Sequence, residues 1–257
     1  MQLAKLAAFE AGKKILHIYE TDFSVETKSD DSPLTLADKM GHDKIVSFLK
    51  ETNIPILSEE GKHLSYNERK DWKTFWLVDP LDGTKEFVKR NGEFTVNIAL
   101  IHNGSPIMGV IYVPVKAELY FAMKDLGSYK ISRDAVISDL DDLIEKSIKL
   151  PIEYNRENYV IVGSRSHSSV ETEELFYEKK KEHGNVDFMA VGSSLKFCMV
   201  AEGKADAYAR YAPTMEWDTG AGDAICRMAG FQVLQYNTDI PLRYNKKNLL
   251  NPWFLVT

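Results

Sequence analysis

The sequence predicts a mixed α/β fold built from packed layers of helices and sheets. Short apolar runs typical of buried strands alternate along the chain with longer segments whose apolar side chains recur at helical spacing. The chain has 257 residues and is 44% hydrophobic, which suffices for one large domain or two tightly packed halves. Since no stretch is of low complexity, we expect an ordered chain.

The first part of the chain begins with two predicted helices. Residues 1–20 carry an apolar stripe on one helical face, and residues 35–52 form a second helix with Thr35 as its N-cap and Asp38 in its first turn. Residues 21–34 are expected to form the intervening loop or hairpin. Strands are then predicted at 54–57, 75–78, 94–101, 107–114 and 117–123, the last two as a hairpin.

An acidic stretch at residues 138–147 predicts a short surface helix. It also marks the expected seam between an N-terminal half, residues 1–137, and a C-terminal half, residues 138–257. In the second half, helices are predicted to end near residues 183, 202 and 230. Strands are predicted at 159–162, 187–191, 207–211, 231–236 and 253–256.

Composition excludes several classes of partner and location. The formal net charge is -6 with no basic stripe, which argues against a nucleic-acid partner and leaves a small phosphorylated molecule. We expect no integral membrane segment, because no run of about 18 apolar residues occurs. Cys198 and Cys226 form neither a disulfide framework nor a zinc site, which fits the cytoplasm. A peripheral position at the inner membrane and the oligomeric state stay open.

The strongest chemical signal is the segment Asp79–Thr84, which follows a buried strand directly. Asp79 and Asp82 stand three residues apart in a predicted turn containing a proline and a glycine. Such a turn can point both carboxylates and the Leu81 carbonyl at one hard cation such as Mg²⁺. The alternative is a plain turn, in which Asp79 caps the next helix and Asp82 is solvated.

Two further acids follow other predicted elements. Glu59 comes after a buried strand, and Asp218 stands at a helix start, where the helix dipole favours an anion. Taken singly, Asp218 is equally explained as an ordinary N-terminal helix acid. If all four acids converge, their mutual repulsion would be costly, and a bound divalent metal is the natural remedy.

The motifs resemble those of the inositol monophosphatase superfamily of metal-dependent, lithium-sensitive phosphatases. The matching segments are Ser58–Gly61, Trp76–Thr84 and Trp217–Gly222. Within that superfamily the chain is similar to the bacterial 3'(2'),5'-bisphosphate nucleotidases, through the segments Gly83–Leu100, Ser164–His167, Gly192–Cys198 and Ala201–Asp206. Two positions depart from the family pattern: Ala212 replaces a common glycine and Asp223 a common histidine.

The resemblance implies a layered αβαβα sandwich with a metal site between the two halves. It implies that two or three Mg²⁺ ions are held by Glu59, Asp79, the Leu81 carbonyl, Asp82 and Asp218. It further implies that Thr84 and Asp38 help to orient the attacking water. We take Glu59, assisted by the Thr84 hydroxyl, as the candidate base, since no nucleophile–base pair is evident in the sequence.

The implied reaction removes the 3'-phosphate of 3'-phosphoadenosine 5'-phosphate by in-line attack of a metal-activated water. The products are AMP and phosphate, and the reaction serves sulfur assimilation. Ser193 lies between a strand and a helix, where an anion can bind, and Lys196 and Arg210 are candidates to hold the second phosphate. An ordinary N-cap and two solvated charges are the alternatives for these three. His167, Gly83 and Thr84 are also assigned to substrate binding.

Two other functions stay open at this point. The chain fits an inositol or sugar monophosphate phosphatase of the same superfamily, although Lys85-Glu86 and the Gly192–Lys196 run argue against that substrate. A non-catalytic protein that binds nucleotide or metal is a different class of alternative, and metal-dependent turnover would exclude it.

Overall fold

The computed structural model describes residues 1–21, 33–132, 139–164 and 170–257, without the side chain of Pro33. Most of the predicted loop at 21–34 and the candidate residue His167 lie outside these ranges. Within them the chain forms eight α-helices: α1 (Gln2–Tyr19), α2 (Pro33–Leu49), α3 (Tyr66–Arg69), α4 (Thr84–Val88), α5 (Leu140–Glu145), α6 (Val170–His183), α7 (Leu195–Glu202) and α8 (Glu216–Met228). None of these helices has the length and apolar character needed to cross a membrane.

The described strands form two sheets. They are β1 (Ile56–Ser58), β2 (Thr74–Asp82), β3 (Thr95–His102), β4 (Ser105–Val113), β5 (Glu118–Met123), β6 (Gly127–Ser132), β7 (Ile148–Lys149), β8 (Tyr159–Gly163), β9 (Val186–Ala190), β10 (Ala207–Arg210), β11 (Val233–Gln235) and β12 (Phe254–Val256). The first sheet has the order β1-β2-β3-β4-β5-β6-β7, and the second β11-β12-β10-β8-β9. All neighbours in the first sheet are antiparallel except β1 and β2.

The helices and sheets stack in five layers. Helices α1 and α2 cover one face of the first sheet, and α7 and α8 lie between the two sheets. Helix α6 covers the outer face of the second sheet through a small core around Leu175. Because strands of both sheets bury alternate side chains against these helices, each helical layer closes a separate apolar core. The predicted αβαβα sandwich is confirmed.

Small residues let α8 approach the first sheet closely. A side chain at Gly220 would lie 2.8 Å from Leu77 on β2, and one at Gly222 would overlap the Phe197 ring on α7. Both positions therefore need glycine, despite its cost inside a helix. The close packing holds the first turn of α8 beside β2, where the acidic motif lies.

Several predicted boundaries need correction. Thr35 is not an N-cap, because α2 begins at Pro33 and places Thr35 in its first turn and Asp38 in its second. Proline is favoured at the first helical position, where its missing N–H is not needed. Two strands, β6 and β7, and two short helices, α3 and α4, were not predicted from the sequence.

The acidic stretch forms the predicted helix, but the helix is not entirely at the surface, because one of its side chains is buried. Asp139 caps α5 by accepting a hydrogen bond from the Asp142 amide, while Leu143 is fully buried. The following strand β7 still pairs with β6 of the first sheet. The division of the chain at residue 138 therefore stays a prediction, since the first sheet extends past that position to Lys149.

Candidate metal centre and adjoining cavity

A β-bulge directs the two acids of the Asp79–Thr84 segment to one side. Strand β2 does not end at Val78, as the sequence suggested, but continues to Asp82 with a register shift between Asp79 and Asp82. Leu81 thereby turns into the core under α1 and α2. One extra residue in a strand reverses the alternation of its side chains. Asp79 and Asp82, three residues apart, consequently both face α8.

Three carboxylates from three elements meet at this point. Glu59 follows β1 and is held beside β2 by a 3.1 Å hydrogen bond from its N–H to the Val78 carbonyl. Asp218 lies in the first turn of α8, where it accepts a 2.8 Å bond from the Met215 N–H. Carboxylate oxygens of Glu59, Asp79 and Asp218 all lie within 4.8 Å of one another. The predicted convergence of these acids is present in the structure.

The charges in this cluster repel one another strongly. Burial and the charges of Asp82, Glu59 and Asp218 raise the pKa of Asp79 well above its usual value. Burial and Asp82 raise the pKa of Asp218 to about 8. The pKa of Glu59 rises to about 7, again through burial and the neighbouring charge of Asp82. Asp79 is 1% exposed, so solvent does little to relieve its repulsion.

This acidic cluster fits a divalent cation. All donors are carboxylate oxygens, the ligands that Mg²⁺ prefers. The raised pKa values show that ionising these groups is unfavourable without a compensating positive charge. Among the described residues, neither Asp79 nor Glu59 forms an ion pair with a basic side chain. A plain turn would leave such acids solvated, whereas Asp79 is buried and its carboxylate accepts a hydrogen bond from the Leu81 N–H within the bulge.

Asp82 is held in place by polar contacts to one of its carboxylate oxygens. Its Oδ2 accepts hydrogen bonds from the Ser194 hydroxyl at 2.6 Å and the Asn97 amide at 3.3 Å. Ser194 occupies the N-cap position of α7, and Asn97 lies on β3 with only 1% exposure. Asp82 is therefore fixed in the wall between the acidic cluster and a neighbouring cavity, rather than solvated.

The candidate water-orienting residues flank the cluster on different sides. Thr84 is exposed at the start of α4, while Asp38 is buried on α2. Burial and the charges of Glu60 and Glu59 raise the pKa of Asp38 to about 8, which places Asp38 next to the Glu59 side of the cluster. Gly83 precedes Thr84 in a left-handed conformation (φ 97°). That conformation favours glycine, so it positions Thr84 at the cavity edge.

A cavity of about 240 Å³ opens beside the acidic cluster. It is lined by most of the predicted substrate-binding residues: Gly83, Thr84, Ser193, Lys196 and Arg210, together with Asp82 and Asp218. Ser193 is in the left-handed region (φ 48°), and Ser194, not Ser193, occupies the N-cap position, so the alternative role of Ser193 as an N-cap is wrong. The cavity thus joins the described substrate-binding candidates to two of the metal-binding candidates, Asp82 and Asp218. Glu59, Asp79 and Leu81 do not line it, and His167 lies outside the described residues.

The two cations of the cavity are in different environments. Lys196 is buried and donates to the carbonyl oxygens of Val191 at 3.3 Å and Ser193 at 2.6 Å. Burial lowers its pKa to about 8, although Asp82 opposes the shift. Arg210, at the end of β10, donates one bond to the Pro213 carbonyl, and its Nε has no partner among the described residues. Neither cation is simply solvated, and their contact with a phosphate stays a prediction.

Sequence reasoning missed some of the cavity lining. Thr214 and Thr219 flank the Trp217-Asp218 motif, so their nearness in sequence was a usable signal. Asn97 was also detectable, as an amide within the apolar run of β3. Tyr208 gave no such signal, because an aromatic residue in a strand is ordinarily core. Thr214, Thr219 and Tyr208 line the cavity, and Asn97 contacts Asp82.

Comparison with known proteins agrees with this geometry. The model of the inositol monophosphatase family matches residues 1–253. The chain belongs to the inositol monophosphatase family. It is 41% identical to the 3'(2'),5'-bisphosphate nucleotidase CysQ of Escherichia coli strain K12, with 100% of this chain and 98% of the relative covered. The nucleotidase CysQ of Haemophilus influenzae is 34% identical, over 98% of this chain and 90% of the relative.

Solved structures show the same fold. A crystal structure of CysQ from Bacteroides thetaiotaomicron, a bacterial member of the family, has a TM-score of 0.94 and 55% identity, and covers 99% of this chain and 95% of that one. An inositol monophosphatase from Zymomonas mobilis has a TM-score of 0.74 at 20% identity over 100% of this chain and 91% of that one. The second likeness concerns the fold alone.

One departure from the family pattern has a structural explanation. Asp223 is fully buried on α8, where it pairs with Arg227 and accepts a 2.7 Å hydrogen bond from the Tyr244 hydroxyl. Burial raises its pKa to about 6 in spite of the arginine. Asp223 therefore ties α8 to the segment before β12 and does not face solvent. Nothing in the structure explains Ala212.

Proposed function

We propose that this member of the inositol monophosphatase family is a Mg²⁺-dependent 3'(2'),5'-bisphosphate nucleotidase. It hydrolyses the 3'-phosphate of 3'-phosphoadenosine 5'-phosphate to give AMP and phosphate, and serves sulfur assimilation in the cytoplasm. The relatives that carry the name nucleotidase match this chain from end to end. We further propose that the acidic cluster holds two or three Mg²⁺ ions.

One observation carries the choice of substrate. The cavity is lined both by acids of the candidate metal centre, Asp82 and Asp218, and by the two cations Lys196 and Arg210. A nucleoside 3',5'-bisphosphate presents one phosphate for hydrolysis and a second anion to be held by positive charge. An inositol monophosphate has no second phosphate for those two groups. The likeness to inositol monophosphatases supports the shared chemistry, and the cationic side of the cavity supports the nucleotide.

The proposed mechanism assigns a task to each side chain. Glu59, Asp79, Asp82, Asp218 and the Leu81 carbonyl would hold the metal. Bound Mg²⁺ supplies positive charge that neutralises the ester, lowers the pKa of water and stabilises the leaving oxygen. Glu59 accepts the proton of the attacking water, since its carboxylate lies beside those of Asp79 and Asp218 where the metal would be held.

The remaining groups orient substrate and water. The Thr84 hydroxyl, exposed at the cavity edge, holds the water in line with the scissile bond, and Asp38 assists from the Glu59 side. Lys196 fixes the Val191–Ser194 turn through its two carbonyl contacts and contributes positive charge to the cavity. Arg210 can make bidentate contact with the second phosphate, which a guanidinium favours.

The test compares kcat/KM for 3'-phosphoadenosine 5'-phosphate, inositol 1-phosphate and a sugar phosphate, with Mg²⁺ and with chelator. We expect the bisphosphate to be preferred by at least tenfold and turnover to vanish with chelator. A charge-assisted contact contributes about 1.5–3 kcal/mol, which corresponds to roughly ten- to a hundredfold in binding. Equal turnover of inositol 1-phosphate would overturn the nucleotide assignment.

The variant Lys196→Ala tests whether Lys196 contacts the second phosphate of the substrate. If Lys196 contacts the phosphate equally in ground and transition states, KM for the bisphosphate rises while kcat stays nearly constant. The surface variant Lys13→Ala, which breaks a pair with Glu10, is the matched control. Equal losses on mono- and bisphosphates would mean that Lys196 acts only by holding its turn.

A further inference from the structure

We propose that Ser194 and Asn97 form a clamp on Asp82 that sets the affinity of the acidic cluster for Mg²⁺. They act as positioning residues, because neither belongs to the predicted ligand set. The inference rests on the proposed metal-dependent function and names how this chain prepares one of its ligands.

The clamp consists of four polar contacts, three of which involve the Ser194 hydroxyl. The Ser194 Oγ lies 2.6 Å from Asp82 Oδ2 and 2.8 Å from the Asp218 carbonyl oxygen. The Asn97 Nδ2 lies 2.9 Å from Ser194 Oγ and 3.3 Å from Asp82 Oδ2. The Ser194 hydroxyl thus touches both the side chain of one predicted ligand and the backbone of another.

Proton accounting determines the direction of these bonds. A serine hydroxyl has one proton, and an asparagine amide nitrogen has two. Asn97 donates to Ser194 and to Asp82, which leaves the serine proton for an acceptor. A separation of 2.6 Å is the length of a charge-assisted O–H···O⁻ bond, so the proton goes to Asp82 and not to the Asp218 carbonyl. Asp82 therefore receives two donors.

The amide orientation is fixed by the same chemistry. Rotating the Asn97 amide would place its Oδ1 against the Asp82 carboxylate, a contact between two acceptors. The observed Oδ1 is buried without a partner among the described residues. The site accepts that cost, about 1–3 kcal/mol for an unsatisfied polar atom, to direct the amide nitrogen at Asp82.

Both donors reach the same oxygen of Asp82, and this decides what remains for a cation. Oδ2 accepts both bonds, while Oδ1 accepts none from the described residues. Ser194 is 2% exposed and Asn97 1%, so the carboxylate cannot rotate freely by exchanging these partners for water. The clamp leaves Oδ1 as the oxygen available to a metal ion.

The clamp also joins three elements that lie beside the cluster. Asp82 ends β2, Asn97 lies on the neighbouring β3, and Ser194 begins α7. Through the Asp218 carbonyl the contact extends to α8. Loosening the clamp would therefore change how Asp82 is aimed relative to Asp218. Hydrogen-bond partners of metal ligands typically affect metal affinity by about 10–100-fold.

The test titrates MgCl₂ into chelator-treated protein by calorimetry, without substrate. We expect Ser194→Ala and Asn97→Ala to weaken Mg²⁺ binding by about 10–100-fold, and Ser194→Thr to restore most of the affinity. The matched control is Ser128→Ala, since Ser128 is fully buried on β6 and its hydroxyl has no hydrogen bond within the described residues. That variant should bind Mg²⁺ like the wild type.

A second readout separates positioning from general stability. Melting temperatures in chelator reveal any loss of folding, and the Mg²⁺ dependence of turnover should shift to higher concentration with a smaller change in kcat at saturation. If Ser194→Ala does not fold, Asn97→Ala and Ser194→Thr carry the test. Because both residues act on one oxygen, the double variant should lose less than the sum of the single losses.

The outcomes distinguish this inference from the proposed function. Wild-type affinity in both Ser194→Ala and Asn97→Ala would overturn the clamp and leave the nucleotidase proposal intact. A wild type that binds Mg²⁺ and shows the expected variant losses, but prefers another phosphomonoester, would support the clamp and overturn the substrate. A wild type that binds no Mg²⁺ would overturn both.

Discussion

Two acidic sites in this protein, one a single glutamate and the other a cluster, have opposite electrostatic surroundings. Glu202, at the end of α7, accepts hydrogen bonds from two tyrosines, Tyr120 and Tyr154, and pairs with Lys130 and Lys204. Burial would raise its pKa, but the bonds from Lys204 and Tyr120 and the charge of Lys130 hold the pKa below its usual value. The Glu59, Asp79 and Asp218 cluster shows the reverse, with raised pKa values.

The difference separates a structural site from a functional one. Glu202 carries its own cations, so its charge is neutralised by the fold and the network joins α7 to the first sheet. Within the described part of the chain, the acids of the candidate metal centre form no such ion pairs, and their electrostatic energy is unfavourable without a bound cation. An uncompensated acidic cluster beside a cavity indicates a site for an external cation. Variants of the two groups should therefore fail in different ways.

The largest effect is expected from Asp79→Asn. The change removes a charged ligand, and we expect kcat to fall roughly a thousandfold with saturating Mg²⁺. It also removes one of several repelling charges, so the melting temperature in chelator should rise or stay constant. Steady-state kinetics and thermal melting measure the two effects. Near-normal turnover of this variant in chelated buffer would contradict a metal-dependent mechanism.

Glu202→Gln should show the opposite pattern. Loss of the buried charge leaves Lys130 and Lys204 without their shared partner, and we expect the free energy of unfolding to fall by about 2–3 kcal/mol. Turnover at saturating Mg²⁺ should stay within about twofold of the wild type. Chemical denaturation and kinetics provide the measurements. A large loss of kcat in a folded variant would mean that the two groups are not independent.

Much of the fold and the core of the site were predictable from sequence. The periodic patterns located the long helices and the buried strands, because each depends on local spacing of apolar residues. The acids Glu59, Asp79 and Asp218 were predictable because each follows a short apolar run or lies in the first turn of a helix. Their meeting within 4.8 Å required only that the ends of these elements converge.

The remainder depended on contacts between distant segments. The bulge that turns Leu81 inward depends on pairing with β3, which a local pattern does not show. The bond between Ser194 and Asp82 joins residues 112 positions apart. Lys196 was expected as a phosphate contact, and only the folded turn shows its bonds to the Val191 and Ser193 carbonyls.

The pH dependence of stability gives a smaller test of the same comparison. The acids of the metal centre have raised pKa values, so the folded protein binds protons there more tightly than the unfolded chain does. The stabilising contribution of this proton binding is present near pH 4 and is lost as the pH rises toward about 8, the pKa of Asp218 and Asp38. In chelator the melting temperature should fall by at least about 3 °C between roughly pH 5.5 and 8.

The control for that titration is the same experiment with Mg²⁺. A bound cation favours the ionised carboxylates, so the decline should disappear or reverse. For Glu202 the dependence of stability on pH has the opposite sign. Its pKa is lowered in the folded protein, so its stabilising contribution is lost as the pH falls below the usual pKa of a glutamate. Parallel curves with and without Mg²⁺ would mean that the raised-pKa acids do not bind the metal.

Lithium should produce the smallest effect. The family resemblance implies inhibition, and the acidic cluster gives a physical reason: Li⁺ is small, prefers oxygen ligands and can occupy a Mg²⁺ position with half the charge. The weaker positive field stabilises the leaving oxygen poorly, so turnover falls while the fold stays intact. We expect half-inhibition at millimolar Li⁺, a twofold loss that corresponds to about 0.4 kcal/mol.

Activity measured across a Li⁺ series, with K⁺ at equal ionic strength as the control, tests this prediction of lithium inhibition. Because Li⁺ would occupy a metal position, raising Mg²⁺ should change the degree of inhibition. A flat curve in Li⁺ would mean that the cluster does not offer a site in which one small cation can replace another.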